Sequence, residues 1–249
     1  MKIERFTLYK PTLEMSSPFV TSLRTVEALE TVLLQIETDG GISGWGEAPV
    51  SPKVTGESPD ASLAALDFVI PELLGKDPLN REGIHSKMAS LLKGNSAAKA
   101  GVDIALHDLL GKVQGEPLWK LIGGFRSNRI STDFTVSLMD PEEMAERAKQ
   151  LVSEGFGSLK IKLGEDPARD MERLKEIDTA TGGRPSYRID ANQGWTRTES
   201  LRFINMTGDI DVEFIEQPVK DEDLVGMKRV RQALSIPIMA DESVHGPDL

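Results

Sequence analysis

The chain predicts an α+β domain over residues 1–125, followed by a parallel (β/α) barrel over 126–249 that holds about five strands. Two observations carry this fold class. The first half reads as strands and then helices, whereas beyond Arg126 strand and helix patterns alternate strictly, as a parallel sheet requires. In that second half three apolar runs each end in a carboxylate: Asp190 in Tyr-Arg-Ile-Asp-Ala-Asn, Glu216 in Val-Glu-Phe-Ile-Glu-Gln-Pro and Asp241 in Ile-Pro-Ile-Met-Ala-Asp-Glu-Ser. Their separations are 26 residues (190 to 216) and 25 (216 to 241), the length of one strand, one helix and two loops.

In order along the chain, residues 2–10 and about 26–50 read as strands. Thr31 to Glu37 is rich in β-branched and apolar residues, and Asp39-Gly40-Gly41 supplies a hairpin turn before Ile42 to Glu47. From Ser58 the pattern turns helical. Ala97 to Val113 carries Val102, Ala105, Leu106, Leu109 and Val113 at helical spacing, and Gly115 with Pro117 stops it. Later strands are expected at about 130–137, 158–163, 186–191, 212–216 and 236–240. A complete eight-stranded barrel needs roughly 200 residues or more, and residues 126–249 supply 124. The chain is therefore expected to be a truncated version of a longer barrel or to be completed by another chain, because an open parallel sheet leaves its edges uncovered.

In a parallel barrel the C-terminal strand ends share one rim, so the three carboxylates converge. Three bare anions would repel one another. A hard divalent cation with oxygen ligands, Mg²⁺ by preference, removes that cost. The competing reading is that each carboxylate caps the helix that follows it. One unit upstream, in Ser-Leu-Lys-Ile-Lys-Leu-Gly, alternation places Leu159, Ile161 and Leu163 toward the helices and Lys160 with Lys162 toward the interior. The bland reading is a half-exposed strand with both lysines in water. Beside the carboxylates, mutual repulsion is expected to lower at least one lysine pKa and free a neutral base. Metal and lysine together suit removal of a proton next to a substrate carboxylate, with stabilisation of the enediolate that forms.

Composition narrows the function classes. With 29 basic and 40 acidic residues the formal charge is −11, which argues against a nucleic acid or anionic membrane partner. The chain has no cysteine, which excludes disulfides and thiolate chemistry and suits a reducing cytoplasm. The amino terminus has no apolar signal core, and no run reaches membrane-spanning length, so export is not expected. His85, His107 and His245 do not share the phase of the carboxylates and are not expected to be catalytic. A metal-dependent hydrolase on the same barrel would want His-x-His on the first barrel strand, where this chain has Thr132-Asp133-Phe134-Thr135.

The chain resembles the muconate-lactonizing subgroup of the enolase superfamily, and within it is similar to the dipeptide epimerases that interconvert L-Ala-D-Glu and L-Ala-L-Glu. The resemblance runs from Met1 to Leu249 through Pro-Phe-Val-Thr-Ser-Leu-Arg-Thr-Val, Gly-Trp-Gly-Glu-Ala-Pro, Val-Thr-Gly-Glu-Ser, Gly-Asn-Ser-Ala-Ala-Lys-Ala, Leu-Lys-Ile-Lys, Asp-Ala-Asn-Gln-Gly-Trp, Glu-Gln-Pro and Met-Ala-Asp-Glu-Ser. It implies an enolase-like capping domain, a TIM-type (β/α)₇β barrel and one Mg²⁺ held by Asp190, Glu216 and Asp241. By the same resemblance Lys162 is the acid/base lysine, and Lys160 tunes it and helps to hold the substrate carboxylate. Asn192 and Glu242 would orient ligands or balance charge, although Asn192 also reads as a turn residue. Arg24 would meet an acidic substrate side chain, with an unpartnered exposed arginine as the alternative; Thr55 and Thr135 would line the pocket.

The implied reaction is 1,1-proton transfer on an acidic dipeptide. N-acylamino acid racemases, o-succinylbenzoate synthases and muconate-type cycloisomerases share these motifs and stand as alternatives, as does a fragment that binds metal without turnover. The family's opposing lysine and its ammonium-binding Asp-x-Asp are expected beyond Leu249. A homo-oligomer is compatible with the sequence.

Overall fold

A computed structural model describes residues 1–124 and 129–246; the expected junction at 125/126 lies outside the described residues. The chain forms two compact units, one of Met1–Glu14 with Ala28–Arg129 and the other of Met15–Glu27 with Ile130–Leu249.

The first unit is built on β1 (Ile3–Tyr9), β4 (Val32–Thr38) and β5 (Ser43–Ala48), an antiparallel sheet in the order β1-β4-β5. Burial alternates along β4, so Val32, Leu34 and Ile36 reach the core. The expected hairpin turn stands between β4 and β5, with Gly41 at φ +75°. Helices α1 (Pro59–Val69), α2 (Arg81–Leu91), α3 (Ser96–Gln114) and the short α4 (Leu118–Leu121) follow. Ser58 caps α1 by accepting from the Ala61 N–H, and Gly115 ends α3 in the left-handed conformation. Val102, Ala105, Leu106 and Leu109 of α3 pack into the same core as the sheet. The two glycines of Gly-Trp-Gly have a packing reason: a Cβ on Gly46 would lie 1.9 Å from the Gly101 oxygen, so α3 can approach β5 only across bare backbone.

A strand not expected from the sequence, β2 (Thr12–Val20), pairs with β3 (Thr25–Glu30). Nearly all of β2 is exposed, so it carries no apolar alternation to read.

The second unit holds a parallel sheet of β6 (Phe134–Val136), β7 (Ser158–Lys162), β8 (Ser186–Asp190), β9 (Val212–Glu216) and β10 (Ile238–Met239), neighbours in space in the order of the sequence. Helices α5 (Pro141–Ser153), α6 (Pro167–Thr181), α7 (Arg197–Met206) and α8 (Leu224–Ala233) alternate with them, the α/β order expected. The outer strands β6 and β10 are shorter than the sequence pattern suggested. Among the described residues each is bonded on one side only, and Pro237 just before β10 has no N–H to give. Leu159, Ile161, Leu163, Tyr187, Ile189 and Ile215 form one core with Met144, Leu151, Leu174, Phe203 and Val230 of the helices. The opposite face of the sheet is thereby left to polar side chains, which positions the site.

Candidate active site

Strand register assembles the polar face. Lys162 of β7, Asp190 of β8 and Glu216 of β9 stand on one rung, at the C-terminal ends of their strands. Lys160 lies two residues earlier on the same face of β7, in register with Thr135 of β6. Lys162 Nζ donates to Asp190 Oδ2 at 2.6 Å and to Asn192 Oδ1 at 2.9 Å. Lys160 Nζ donates to both Glu216 oxygens, at 2.9 and 2.8 Å, and reaches Asp190 Oδ2 at 2.8 Å. Two ammonium groups and two carboxylates thus share one volume, with Asp190 1 %, Lys162 6 % and Glu216 7 % exposed and Lys160 half-buried at its edge.

The electrostatics follow from that crowding. Burial pushes the Asp190 carboxyl up, but Lys162 and Lys160 outweigh it and hold the group below the ordinary carboxylate range. Glu216 is raised by burial and by the charges of Asp190 and Asp241, against the pull of Lys160. Glu242 is raised too, by burial first and then by Asp241 and Asp190. The expectation that lysine–lysine repulsion would lower a pKa is corrected at Lys160. Burial acts downward there, yet Asp190 and Glu216, both within hydrogen-bond distance of it, leave the group above the ordinary lysine value.

Asp241 is placed differently. It lies exposed two residues past β10, with its backbone N–H bonded to Gln217 Oε1 at 2.9 Å. Its charge is felt at Glu216, but among the described residues no three carboxylate or histidine side chains stand close enough to hold a metal ion. The capping alternative fails for Asp190 and Glu216, since α7 is capped by Thr196 and α8 by Asp223.

The remaining expected residues fall in several places. Asn192 has the left-handed backbone of a turn, φ +43°, and still joins the cluster: its Nδ2 donates to Glu242 Oε1 at 3.1 Å and its N–H to Asp190 Oδ1 at 2.9 Å. Glu242 is buried, and its Oε2 has no hydrogen-bond partner among the described residues. Arg24 closes the β2–β3 turn through its backbone, bonded to Thr21, and is partly exposed. Thr135 lies on the face of Lys160 and, with Ser137, Phe134 and Phe19, lines a cavity of about 820 Å³ in the second unit. Thr55 belongs to the first unit, exposed, its hydroxyl bonded to the Ser51 carbonyl. His85 and His107 both pair with Asp103 in the first unit, and His245 is exposed.

Several supporting residues were not singled out from the sequence. Ser22 donates to the carbonyls of Ala191 and Asn192 at 2.8 and 3.1 Å, and the Phe19 ring lies 5.6 Å from Lys162 Nζ. Fully buried Asp170 accepts from the Gly164 and Glu165 N–H groups, Trp195 Nε1 and Arg173. Gln193 and Gln217 follow the strand-end carboxylates within Asp-Ala-Asn-Gln and Glu-Gln-Pro; an amide held at a buried strand end was the available signal.

Residues 3–123 match the mandelate racemase / muconate lactonizing enzyme N-terminal domain, and residues 143–248 match the enolase C-terminal domain-like family. The chain belongs to the mandelate racemase / muconate lactonizing enzyme family of the enolase superfamily. It is 43% identical over 251 residues to the L-Ala-D/L-Glu epimerase of Bacillus subtilis, covering 99% of this chain and 68% of that protein. The solved substrate-liganded complex of the Bacillus subtilis L-Ala-D/L-Glu epimerase superposes with a TM-score of 0.93 at 42% identity, over 98% of this chain and 69% of that one. The dipeptide epimerase of Enterococcus faecalis, solved with Mg and L-Leu-L-Tyr, gives a TM-score of 0.95 at 36% identity, over 98% and 69% of the two chains. The chain spans about two thirds of the length of the curated relatives it matches, 68% and 66% for the first two.

Proposed function

We propose that this chain carries the metal-binding and proton-transferring side of an Mg²⁺-dependent epimerase acting on a dipeptide with an acidic residue, such as L-Ala-D/L-Glu. The observation that carries the reading is the rung of Lys162, Asp190 and Glu216, a buried lysine and two buried carboxylates at adjacent parallel strand ends. By its chemistry, all carboxylate oxygen, the donor set fits a hard divalent cation, and Asp241 would have to close on Asp190 and Glu216 to complete it. Asp190 and Glu216 already share one cation in the ammonium of Lys160, so positive charge is favoured where their oxygens meet. Asp190, Glu216 and Asp241 would hold the ion, which would balance their charge and draw electron density from a substrate carboxylate.

Lys162 Nζ, fixed by Asp190 and Asn192, removes the α-proton or returns it. Lys160, on the same face, offers an ammonium to the substrate carboxylate. Asn192 holds Lys162 on one side and Glu242 on the other, which keeps the amine aimed along the rung. Arg24 stands for recognition of the acidic side chain, and Thr135 for the wall beside Lys160; Thr55 is assigned to the same pocket from the family resemblance. We place the protein in the cytoplasm, with a small acidic substrate and no nucleic acid or membrane partner, in keeping with its net charge of −11; no described helix is long and apolar enough to cross a membrane.

The test is proton NMR in D₂O with L-Ala-L-Glu and L-Ala-D-Glu. Loss of the α-proton signal that depends on added Mg²⁺ and stops with a chelator is the expected result. Exchange indifferent to the metal would overturn the reading.

A further inference from the structure

We infer that Gln217 is a positioning residue whose side-chain amide sets the Asp241 turn against the Glu216 strand end, which rests on the reading of Asp190, Glu216 and Asp241 as metal ligands. The β10 ladder ends at Met239, so the strand pairing does not reach the residues that follow. The carboxylate of Asp241 makes no hydrogen bond among the described residues, and the side chain is exposed. The Val244 N–H bonds to the Asp241 carbonyl at 2.9 Å, Ser243 Oγ to the Asp221 carbonyl at 2.8 Å and Asn192 Nδ2 to Glu242 Oε1 at 3.1 Å, but the bond to the Asp241 N–H comes from one amide. Gln217 Oε1 accepts from the N–H groups of Asp241 and Ser243 at 2.9 and 3.2 Å, and its Nε2 donates to Ser243 Oγ and the Val219 carbonyl at 2.8 and 3.0 Å. Both donors and both acceptor positions of the amide are thereby used, in a side chain with no exposed surface.

The backbone of the same residue ties three strand ends together. Its N–H donates to the Met239 carbonyl at 3.0 Å, and its carbonyl accepts from the Gln193 N–H at 2.8 Å. It does so at φ +37°, a left-handed conformation that a residue with a Cβ adopts only when its surroundings hold it there. Gln193 in turn accepts from the Asp221 N–H at 3.0 Å. The loops carrying Asn192, Glu216 and Asp241 are thus linked by two glutamines, and both acceptor bonds of Gln217 fall on the backbone of the Asp241 turn. Loss of the amide should release Asp241 while leaving the Asp190–Glu216 rung, which is set by strand register.

The experiment titrates Mn²⁺, as a spectroscopic stand-in for Mg²⁺, into the 249-residue chain and follows free Mn²⁺ by electron paramagnetic resonance. Wild type, Gln217→Met, Asp241→Asn and the double variant form a cycle; methionine keeps the volume and removes all four bonds. Gln217→Met is expected to weaken binding about tenfold or more. In the Asp241→Asn background the same change should cost less than about twofold, because a residue that acts through Asp241 has nothing left to position. Equal losses in both backgrounds, or wild-type affinity in Gln217→Met, overturn the positioning role alone. No Mn²⁺ binding by the wild type overturns the ligand reading beneath it. Should Gln217→Met not fold, amide hydrogen exchange of the metal-free wild type decides: protected Asp241 and Ser243 N–H groups support the proposal, and unprotected ones overturn it.

Discussion

Asp190 takes both lysine ammonium groups on Oδ2, at 2.8 and 2.6 Å, while Oδ1 takes the Asn192 N–H, so three of its roughly four acceptor positions are filled by protein donors. A cation with two charges can replace part of that set only if both strand-end carboxylates stay ionised. Asp190→Asn and Glu216→Gln are each expected to lower Mg²⁺ affinity about tenfold or more, measured by calorimetric titration. Unchanged affinity in both would return these residues to plain ion pairs with β7. For Arg24, a guanidinium suited to bidentate carboxylate pairing, Arg24→Met should slow α-proton exchange of L-Ala-L-Glu far more than that of L-Ala-L-Ala. Equal slowing of the two dipeptides would remove Arg24 from substrate recognition. The lysine face and the strand-end positions of Asp190 and Glu216 were legible because alternation and spacing place them, whereas Asp241 lies on a loop past β10 that spacing does not aim. The amides of Gln193 and Gln217 were not legible, since all of their partners but Ser243 Oγ are backbone atoms, which leave no trace in composition.

The loops after β7 and β8 press directly on one another. A Cβ on Gly194 would lie 2.0 Å from the Gly164 oxygen, so a bare backbone is required where the two strand ends meet. Asp170, in the first turn of α6, locks this junction by accepting from both loops: Gly164 and Glu165 on one side, Trp195 on the other. Removing it would leave the buried N–H groups of Gly164 and Trp195 without their acceptor and would take from buried Arg173 one of its two carboxylate partners, Glu165 at 2.7 Å being the other. Asp170→Ala is expected to destabilise the chain by about 3 kcal/mol in urea unfolding, and a loss below about 1 kcal/mol would show that the junction stands on packing alone. Helix starts were legible where the cap is a short polar side chain, as at Ser58. Strand β2 was hidden because its residues face solvent, and the outer strands β6 and β10 were overestimated because apolar composition does not report where a ladder has one partner only.

Each of the two units has its own apolar core, one between a three-stranded antiparallel sheet and its helices, the other between a five-stranded parallel sheet and its helices. That division was readable from the change in pattern order, whereas the inclusion of Met15–Glu27 in the second unit was not, since Ser22 reaches Ala191 across 169 positions. The parallel sheet brings a lysine and two carboxylates to one rung by register alone, and the proposed chemistry depends on that arrangement. Both Lys160 and Lys162 come from β7 and so approach from one side, which predicts exchange of the α-proton in one stereoisomer over the other. The most direct measurement is this exchange in D₂O, followed by proton NMR on the 249-residue chain with Mg²⁺, in wild type and Lys162→Ala, with Mg²⁺ titrated calorimetrically into both. The expected result is stereoselective exchange that falls about 100-fold or more in Lys162→Ala while Mg²⁺ still binds. Exchange that persists in Lys162→Ala, with metal bound, would contradict the assignment of Lys162 as the group that moves the proton.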